Sequence, residues 1–161
     1  MKKILVLSDS HGNVNNMVTA VSRLQPDIII HLGDCWADAE QLHRKFPMTI
    51  MEQVPGNCDC RQDIPERILL IEGKKILICH GHTFNVKAGY LNLEYAAEER
   101  KVDAALFGHT HRVFYDKQPD RLYESGKHRT ATLRNTAIIR DSAGGRIKQY
   151  DRNGCDLSGR K

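Results

Sequence analysis

Five short apolar runs, each followed within three residues by Asp, Asn or His, constrain this 161-residue chain more than any other feature. Residues 4–7 lead into Ser8-Asp9-Ser10-His11-Gly12-Asn13, residues 28–32 into Gly33-Asp34, and residues 49–54 into Pro55-Gly56-Asn57-Cys58-Asp59. Residues 76–79 lead into His80-Gly81-His82, and residues 104–107 into Gly108-His109-Thr110-His111. Continuous apolar runs of this length are expected of strands buried on both faces. Such strands need covering layers, and the segments between them supply helices. Val14, Met17, Val18, Val21 and Leu24 follow helical spacing up to Pro26. Residues 37–46 read as a short helix stopped by Pro47, and residues 86–101 as the longest helix.

The expected strands are residues 3–7, 27–32, 48–54, 67–71, 75–79 and 102–107. The pair around Glu72-Gly73-Lys74 reads as a hairpin, with glycine in its turn. After Arg112 the pattern weakens: residues 112–115, 137–140 and 146–150 read as strands, the last after a Gly144-Gly145 turn, and residues 123–134 have no period. The order predicts an α/β chain that becomes β-rich late, in a single domain over residues 1–161 with an irregular tail at 123–136.

Composition narrows the setting. No apolar run is long enough to span a membrane. The opening run stops at Ser8-Asp9, too soon for the core of a signal peptide. The five cysteines (Cys35, Cys58, Cys60, Cys79, Cys155) are an odd number, expected as reduced thiols in a cytoplasm. Cys58-Asp59-Cys60 is one residue short of a redox or zinc pair. The formal charge of +4 divides unevenly, −2 over residues 1–111 and +6 over residues 112–161. A basic tail can meet nucleic acid, but these basic residues alternate with Gly, Ser and Asp without aromatic interleaving, which favours a solvated surface.

The chemistry lies where the strands end. In α/β sheets ligands bind beyond the carboxyl ends of the strands, and here that edge collects Asp9, His11, Asp34, Asn57, His80, His109 and His111. Glycines there are expected to let the chain turn sharply and to leave room for an ion. Mixed oxygen and nitrogen donors suit Mn, Fe, Ni, Co or Zn better than Ca or Mg. Seven donors are too many for one ion and suit two that share a carboxylate, about 3.5–4 Å apart. Each motif alone has an ordinary reading. Asp9 and Ser10 favour helix starts, Asn57 a turn, and His80 a hydrogen-bonded core position. Recurrence at five strand ends is what points to metal.

The series Asp-x-His, Gly-Asp, Gly-Asn-Cys-Asp, His-Gly-His and Gly-His-Thr-His resembles the calcineurin-like metallophosphoesterase superfamily, and within it the small YfcE-type phosphodiesterases. The likeness covers about residues 1–115. It implies a four-layer αββα sandwich with a dinuclear centre on the loop edge of its sheets. It also implies that Asp9, His11 and His111 hold one ion, that Asn57, His80 and His109 hold the other, and that Asp34 bridges them. Asp34, Asn57 and His109 would then serve catalysis as well. The resemblance implies a metal-bridging hydroxide as nucleophile and a small phosphate ester, a phosphodiester, as substrate. Mn²⁺ is the first expectation for the ions, with Ni²⁺, Fe²⁺ or Zn²⁺ as alternatives. A homo-oligomer is compatible with this reading. Larger relatives carry His where Cys58 stands, and the small phosphodiesterases share the Cys. A thiol is a poor leaving-group acid at neutral pH, so good leaving groups are expected. His82 is a candidate helper and Asn13 a candidate phosphate contact or helix start. His31 is expected to be structural, and His43 and His128 to lie on the surface.

The tail departs from the family. Relatives carry Asn-Pro-Gly-Ser after the last metal motif, whereas this chain reads Leu122-Tyr123-Glu124-Ser125-Gly126-Lys127-His128-Arg129. Under the codons TAT GAA TCC GGG AAG CAT, reading one base later yields Met-Asn-Pro-Gly-Ser-Ile. This is the basis for expecting a local frame slip near Leu122, which sequencing the gene would test. Two other functions compete. One is a non-catalytic scaffold, as in the retromer subunit of this fold; a scaffold can lose ligands, and here every expected position is filled. The other is a nuclease, suggested by the basic tail.

Overall fold

Three short strands, β1 (Ile4–Leu7), β2 (Ile28–His31) and β3 (Ile50–Gln53), pair in parallel in that order, with Ile4 beside Ile28 and Ile28 beside Ile50. The computed structural model describes residues 2–60 and 63–111 in full, and beyond them the backbone of four more strands. A second sheet has the order β4-β5-β6-β8-β7, from β4 (Glu66–Ile71), β5 (Lys74–Cys79), β6 (Ala104–Phe107), β7 (Phe114–Tyr115) and β8 (Thr130–Thr132). Here β5, β6 and β8 run parallel, while β4 and β7 are antiparallel edges. Strands β9 (Ile138–Arg140) and β10 (Ile147–Gln149) form an antiparallel pair.

Among the described residues, strand alternation sorts the apolar side chains into three cores, and these define the layers. Val6, Ile28, Ile30 and Leu32 of the first sheet meet Leu69, Ile71, Ile76 and Ile78 of the second. The opposite faces of the same strands point outward. Leu5, Leu7 and Ile29 pack on Met17 and Val21 of helix α1 (Val14–Leu24) and on Leu42 of helix α2 (Trp36–Lys45). Leu77, Cys79, Ala105 and Phe107 pack on Leu93 and Ala97 of helix α3 (Leu91–Glu99). The result is the αββα sandwich expected from the sequence. Each fully buried Leu or Ile in these cores contributes about 1.5–3 kcal/mol.

Local chemistry fixes the helix ends. Asn13 caps α1 by accepting from the Asn16 N–H at 3.4 Å, and Gln25 ends the helix in the left-handed region, donating to Val21 O at 2.8 Å. Helix α2 places Asp38 in its first turn and His43, Arg44 and Lys45 in its last, the signs that suit the helix dipole. In the β4–β5 hairpin, Ile71 pairs with Lys74, so the turn is Glu72-Gly73, both with positive φ (48° and 75°).

The third helix is shorter than its periodicity predicts. The expected helix over residues 86–101 forms only from Leu91 to Glu99, preceded by a 3₁₀ turn at His82–Phe84. Asn85 adopts φ 53°, and Val86 folds back so that its N–H donates to Gly81 O at 3.3 Å and its side chain enters the core, 1% exposed. Val86 therefore matches the helical spacing of Leu93 and Ala97 through tertiary packing alone. Strand β8 was not expected: Thr130–Thr132 falls inside the segment without period, and a three-residue strand carries too little pattern to read. The Gly144-Gly145 turn, the proposed frame slip, His128 and Cys155 lie outside the described residues. Among the described residues no helix is long and apolar enough to cross a membrane.

Candidate metal centre

All seven expected donors sit just past the carboxyl ends of parallel strands: Asp9 and His11 after β1, Asp34 after β2, Asn57 after β3, His80 after β5, and His109 and His111 after β6. Their backbones are unusual. Asp9 (φ 53°), His11 (44°), Asp34 (61°), His109 (68°) and His111 (52°) all occupy the left-handed region. Non-glycine residues rarely do so, and such strain gathers at functional sites. Two glycines let the loops meet. A Cβ on Gly56 would collide with Asp34 Oδ1, and a Cβ on Gly108 would collide with Ser8 Oγ and lie 2.9 Å from Asp9 Oδ2. At these two positions the missing side chain lets the Asp34 and Ser8-Asp9 loops approach the neighbouring strand ends.

The donors form two groups. In the first, Asp9, His11, Asp34 and His111 each offer an atom within 4.8 Å of the others. His111 Nε2 is 3.1 Å from Asp9 Oδ1, and His11 Nε2 is 4.0 Å from Asp34 Oδ2. In the second, His80 Nε2 is 3.1 Å from Asn57 Oδ1 and 3.4 Å from Asp34 Oδ1. The His80 and His109 rings lie 5.0 Å apart. Asp34 thus turns one oxygen toward each group.

His80 is fully buried, and its Nδ1 lies 2.8 Å from Leu32 O. With the Nδ1–H donating to that carbonyl, Nε2 is left facing two oxygen acceptors, an arrangement that a cation between them satisfies. The Asn57 amide group donates to Cys58 Sγ at 3.4 Å, which leaves its oxygen for His80. This donor set fits a divalent metal of the N/O-preferring kind.

Protonation states agree with that use. Burial first, then His80 and Lys87, lowers His109 to about 4, so its imidazole is neutral at pH 7. Burial pushes the Asp34 carboxyl up, but the Cys58 N–H at 3.0 Å, together with His80 and His11, outweighs it and holds Asp34 below the ordinary carboxylate value. The Cys58 thiol is pushed up, first by its hydrogen bond to Asp34 and then by burial, so it stays protonated. Burial, then His80, lowers His82. Its ring is 5.5 Å from His80 and 6.1 Å from His109, and its buried Nδ1 has no hydrogen-bond partner among the described residues. Asn13 is a helix cap and His43 is exposed, as expected.

Several supporting residues were not anticipated. Ser8 Oγ donates to Asp9 Oδ2 at 2.5 Å, and the His109 N–H donates to the same oxygen at 3.2 Å. Asp38 accepts from Ser10 Oγ and from the Gly12 N–H, both at 2.7 Å. Asp59 accepts three backbone N–H groups. His31, expected to be structural, is buried beneath these loops, with Nε2 3.4 Å from Ser10 Oγ and Nδ1 accepting from the Gly33 N–H at 3.4 Å. Only position hinted at these roles: Asp59 sits inside the Gly-Asn-Cys-Asp motif, and Asp38 at the start of a helix.

Comparison with known proteins places this geometry. The profile of the calcineurin-like phosphoesterase superfamily domain matches residues 1–132. YsnB of Bacillus subtilis, a probable metallophosphoesterase, is 38% identical over 112 residues, which are 67% of this chain and 63% of the relative. The chain therefore spans less than two thirds of that relative's length. A probable metallophosphoesterase of Mycoplasma pneumoniae is 29% identical over 121 residues, 72% of each chain. Among solved structures, a conserved uncharacterized protein from Streptococcus pneumoniae, a predicted phosphoesterase, superposes with TM-score 0.74 at 21% identity, over 98% of this chain and 94% of that one. Vps29 of Entamoeba histolytica complexed with Zn²⁺ superposes with TM-score 0.66 at 15% identity, over 92% and 90%. At these identities the structures share the fold alone. The profile, in contrast, spans every strand end that carries a donor, and the chain belongs to the calcineurin-like phosphoesterase superfamily.

Proposed function

We propose that the protein is a metal-dependent phosphoesterase that binds two divalent ions and hydrolyses small phosphodiesters. The observation that carries this is the position of Asp34, with Oδ2 toward His11 and Oδ1 toward His80. In this reading Asp9, His11 and His111 hold one ion, Asn57, His80 and His109 hold the other, and Asp34 serves both. The mixed donors favour Mn²⁺, with Ni²⁺, Fe²⁺ and Zn²⁺ as alternatives. When bound, such ions polarise phosphate oxygens and acidify water toward neutral pH.

The chain's own groups shape the rest. Neutral His109 is ready to coordinate at pH 7. Cys58 stands where a leaving-group acid belongs, but its raised thiol is a weak acid. That favours substrates whose leaving groups need little protonation, and together with the resemblance to small phosphodiesterases it supports diesters over monoesters. The described cysteines are all unpaired, which supports a cytoplasmic setting. The probable metallophosphoesterases of Bacillus and Mycoplasma support the same class of reaction.

The test strips the protein of metal, restores Mn²⁺, Ni²⁺ or Zn²⁺, and measures hydrolysis of an aryl phosphodiester and an aryl monoester. The expected result is metal-dependent turnover with the diester preferred, and a loss of about 100-fold or more in His109→Ala with the fold retained. Metal binding without turnover of either ester would favour the scaffold reading instead.

A further inference from the structure

Gly33, Asp34 and Cys35 are three consecutive residues with positive φ (94°, 61° and 70°). Only glycine takes that conformation without cost, and two non-glycine residues in succession need an external hold. One carboxylate supplies it. Asp59 Oδ2 accepts from the Asp34 N–H at 3.1 Å and from the Gly56 N–H at 2.8 Å, while Oδ1 accepts from the Trp36 N–H at 2.7 Å. Successive N–H groups in a turn of this kind form a small anion-binding concavity, and here the anion is a side chain from the next loop. Asp59 is not part of the donor group of Asp9, His11, Asp34 and His111, and both its oxygens are engaged with backbone.

The first loop has the same construction. Asp9 and His11 carry φ of 53° and 44°, and Gly12 follows at 86°. Asp38, on α2, accepts from Ser10 Oγ and from the Gly12 N–H, and so brackets His11 from both sides. Buried His31 links the two holds by bonding Ser10 on one side and Gly33 on the other.

We propose that Asp59 and Asp38 are positioning residues of the metal centre: neither ligates, Asp59 presents Asp34 to both donor groups, and Asp38 presents His11 to the first. The proposal rests on the reading of Asp34 as a shared ligand, and it predicts an asymmetry. Loss of the Asp59 hold releases the carboxylate common to both ions. Loss of the Asp38 hold disturbs one ion only.

The experiment uses Asp59→Asn and Asp38→Asn in the full chain. Asparagine keeps the volume but turns an NH₂ group toward backbone N–H donors. Mn²⁺ is titrated into metal-free protein by calorimetry, and the Mn²⁺-loaded forms are examined by electron paramagnetic resonance. The wild-type titration stands by itself: fewer than two ions refutes the dinuclear reading, whatever the variants do. Given two ions, Asp59→Asn is expected to weaken both by about 10- to 100-fold and to replace the spin-coupled pair signal with that of isolated Mn²⁺. Asp38→Asn is expected to weaken one ion by a similar factor and leave the other within about threefold. Wild-type affinity and coupling in Asp59→Asn, or weakening of both ions alike in Asp38→Asn, would overturn the proposal. A measurement on the unaltered protein guards against a variant that does not fold. The Asp34 and Trp36 amides should be protected from hydrogen exchange in the metal-free wild type, and rapid exchange at both would equally overturn it.

Discussion

At the scale of single residues, the loops of the candidate site are tied together by groups outside the donor set. His31 is buried, and burial, opposed by Asp59, Asp38 and Asp9, lowers it to about 4. The folded state therefore binds fewer protons than the unfolded state between pH 6.5 and 4, and stability falls as pH drops through that window. His31 should cost about 2 kcal/mol on going from pH 7 to pH 5. Urea denaturation of metal-free protein at the two pH values measures this, and the drop should shrink in His31→Gln. A second contrast concerns glycine. A Cβ on Gly56 collides with Asp34 Oδ1, whereas one on Gly89 meets nothing within 4 Å and has no left-handed φ to oppose it. Gly56→Ala should lose metal affinity and about 1–3 kcal/mol of stability, while Gly89→Ala should bind metal as the wild type does. The candidate donors were legible in the sequence because Asp, Asn and His after apolar strands are conspicuous. Asp38, Asp59 and the bonding partners of His31, itself expected to be structural, were not, because a side chain bonded to backbone N–H groups leaves no periodic trace.

At the scale of elements, the strands were the readable part. Two-sided burial makes β1, β2 and β5 nearly continuous apolar runs, and the expected runs differ from the observed strands by one or two residues at an end, too long for β1, β2, β3 and β6 and one residue too short for β4 and β5. The third helix was misread at its start because Val86 has a reason to be apolar that is not helical. The packed and open faces of α3 give a direct test of its docking on the second sheet. Leu93 is fully buried and Leu91 is 58% exposed. Leu93→Ala should cost about 2–5 kcal/mol, and Leu91→Ala should stay within about 0.5 kcal/mol, both read from denaturation midpoints. Strand β8 escaped notice for the opposite reason: its place between β6 and β7 is fixed by pairing across the sheet, which sequence period does not record.

At the scale of the whole molecule, two sheets stacked face to face bring five strand ends to one edge, and neither sheet alone carries the set. The first contributes Asp9, His11, Asp34 and Asn57, and the second His80, His109 and His111. The core of Val6, Ile30, Leu32, Ile76 and Ile78 therefore does more than stabilise the fold, since it sets the spacing between the two sheets' shares of the candidate donors. Asp34 lies at the seam, with one oxygen toward His11 and the other toward His80, and in the proposed reading it is the ligand the two halves share. The most direct measurement of this account is the hydrolysis rate of an aryl phosphodiester as metal-free protein is titrated with Mn²⁺. The account predicts that turnover follows the doubly loaded form, lagging behind the total metal bound and reaching its maximum only as the second ion fills its site. Full activity at a single equivalent, or none at saturation, would contradict it.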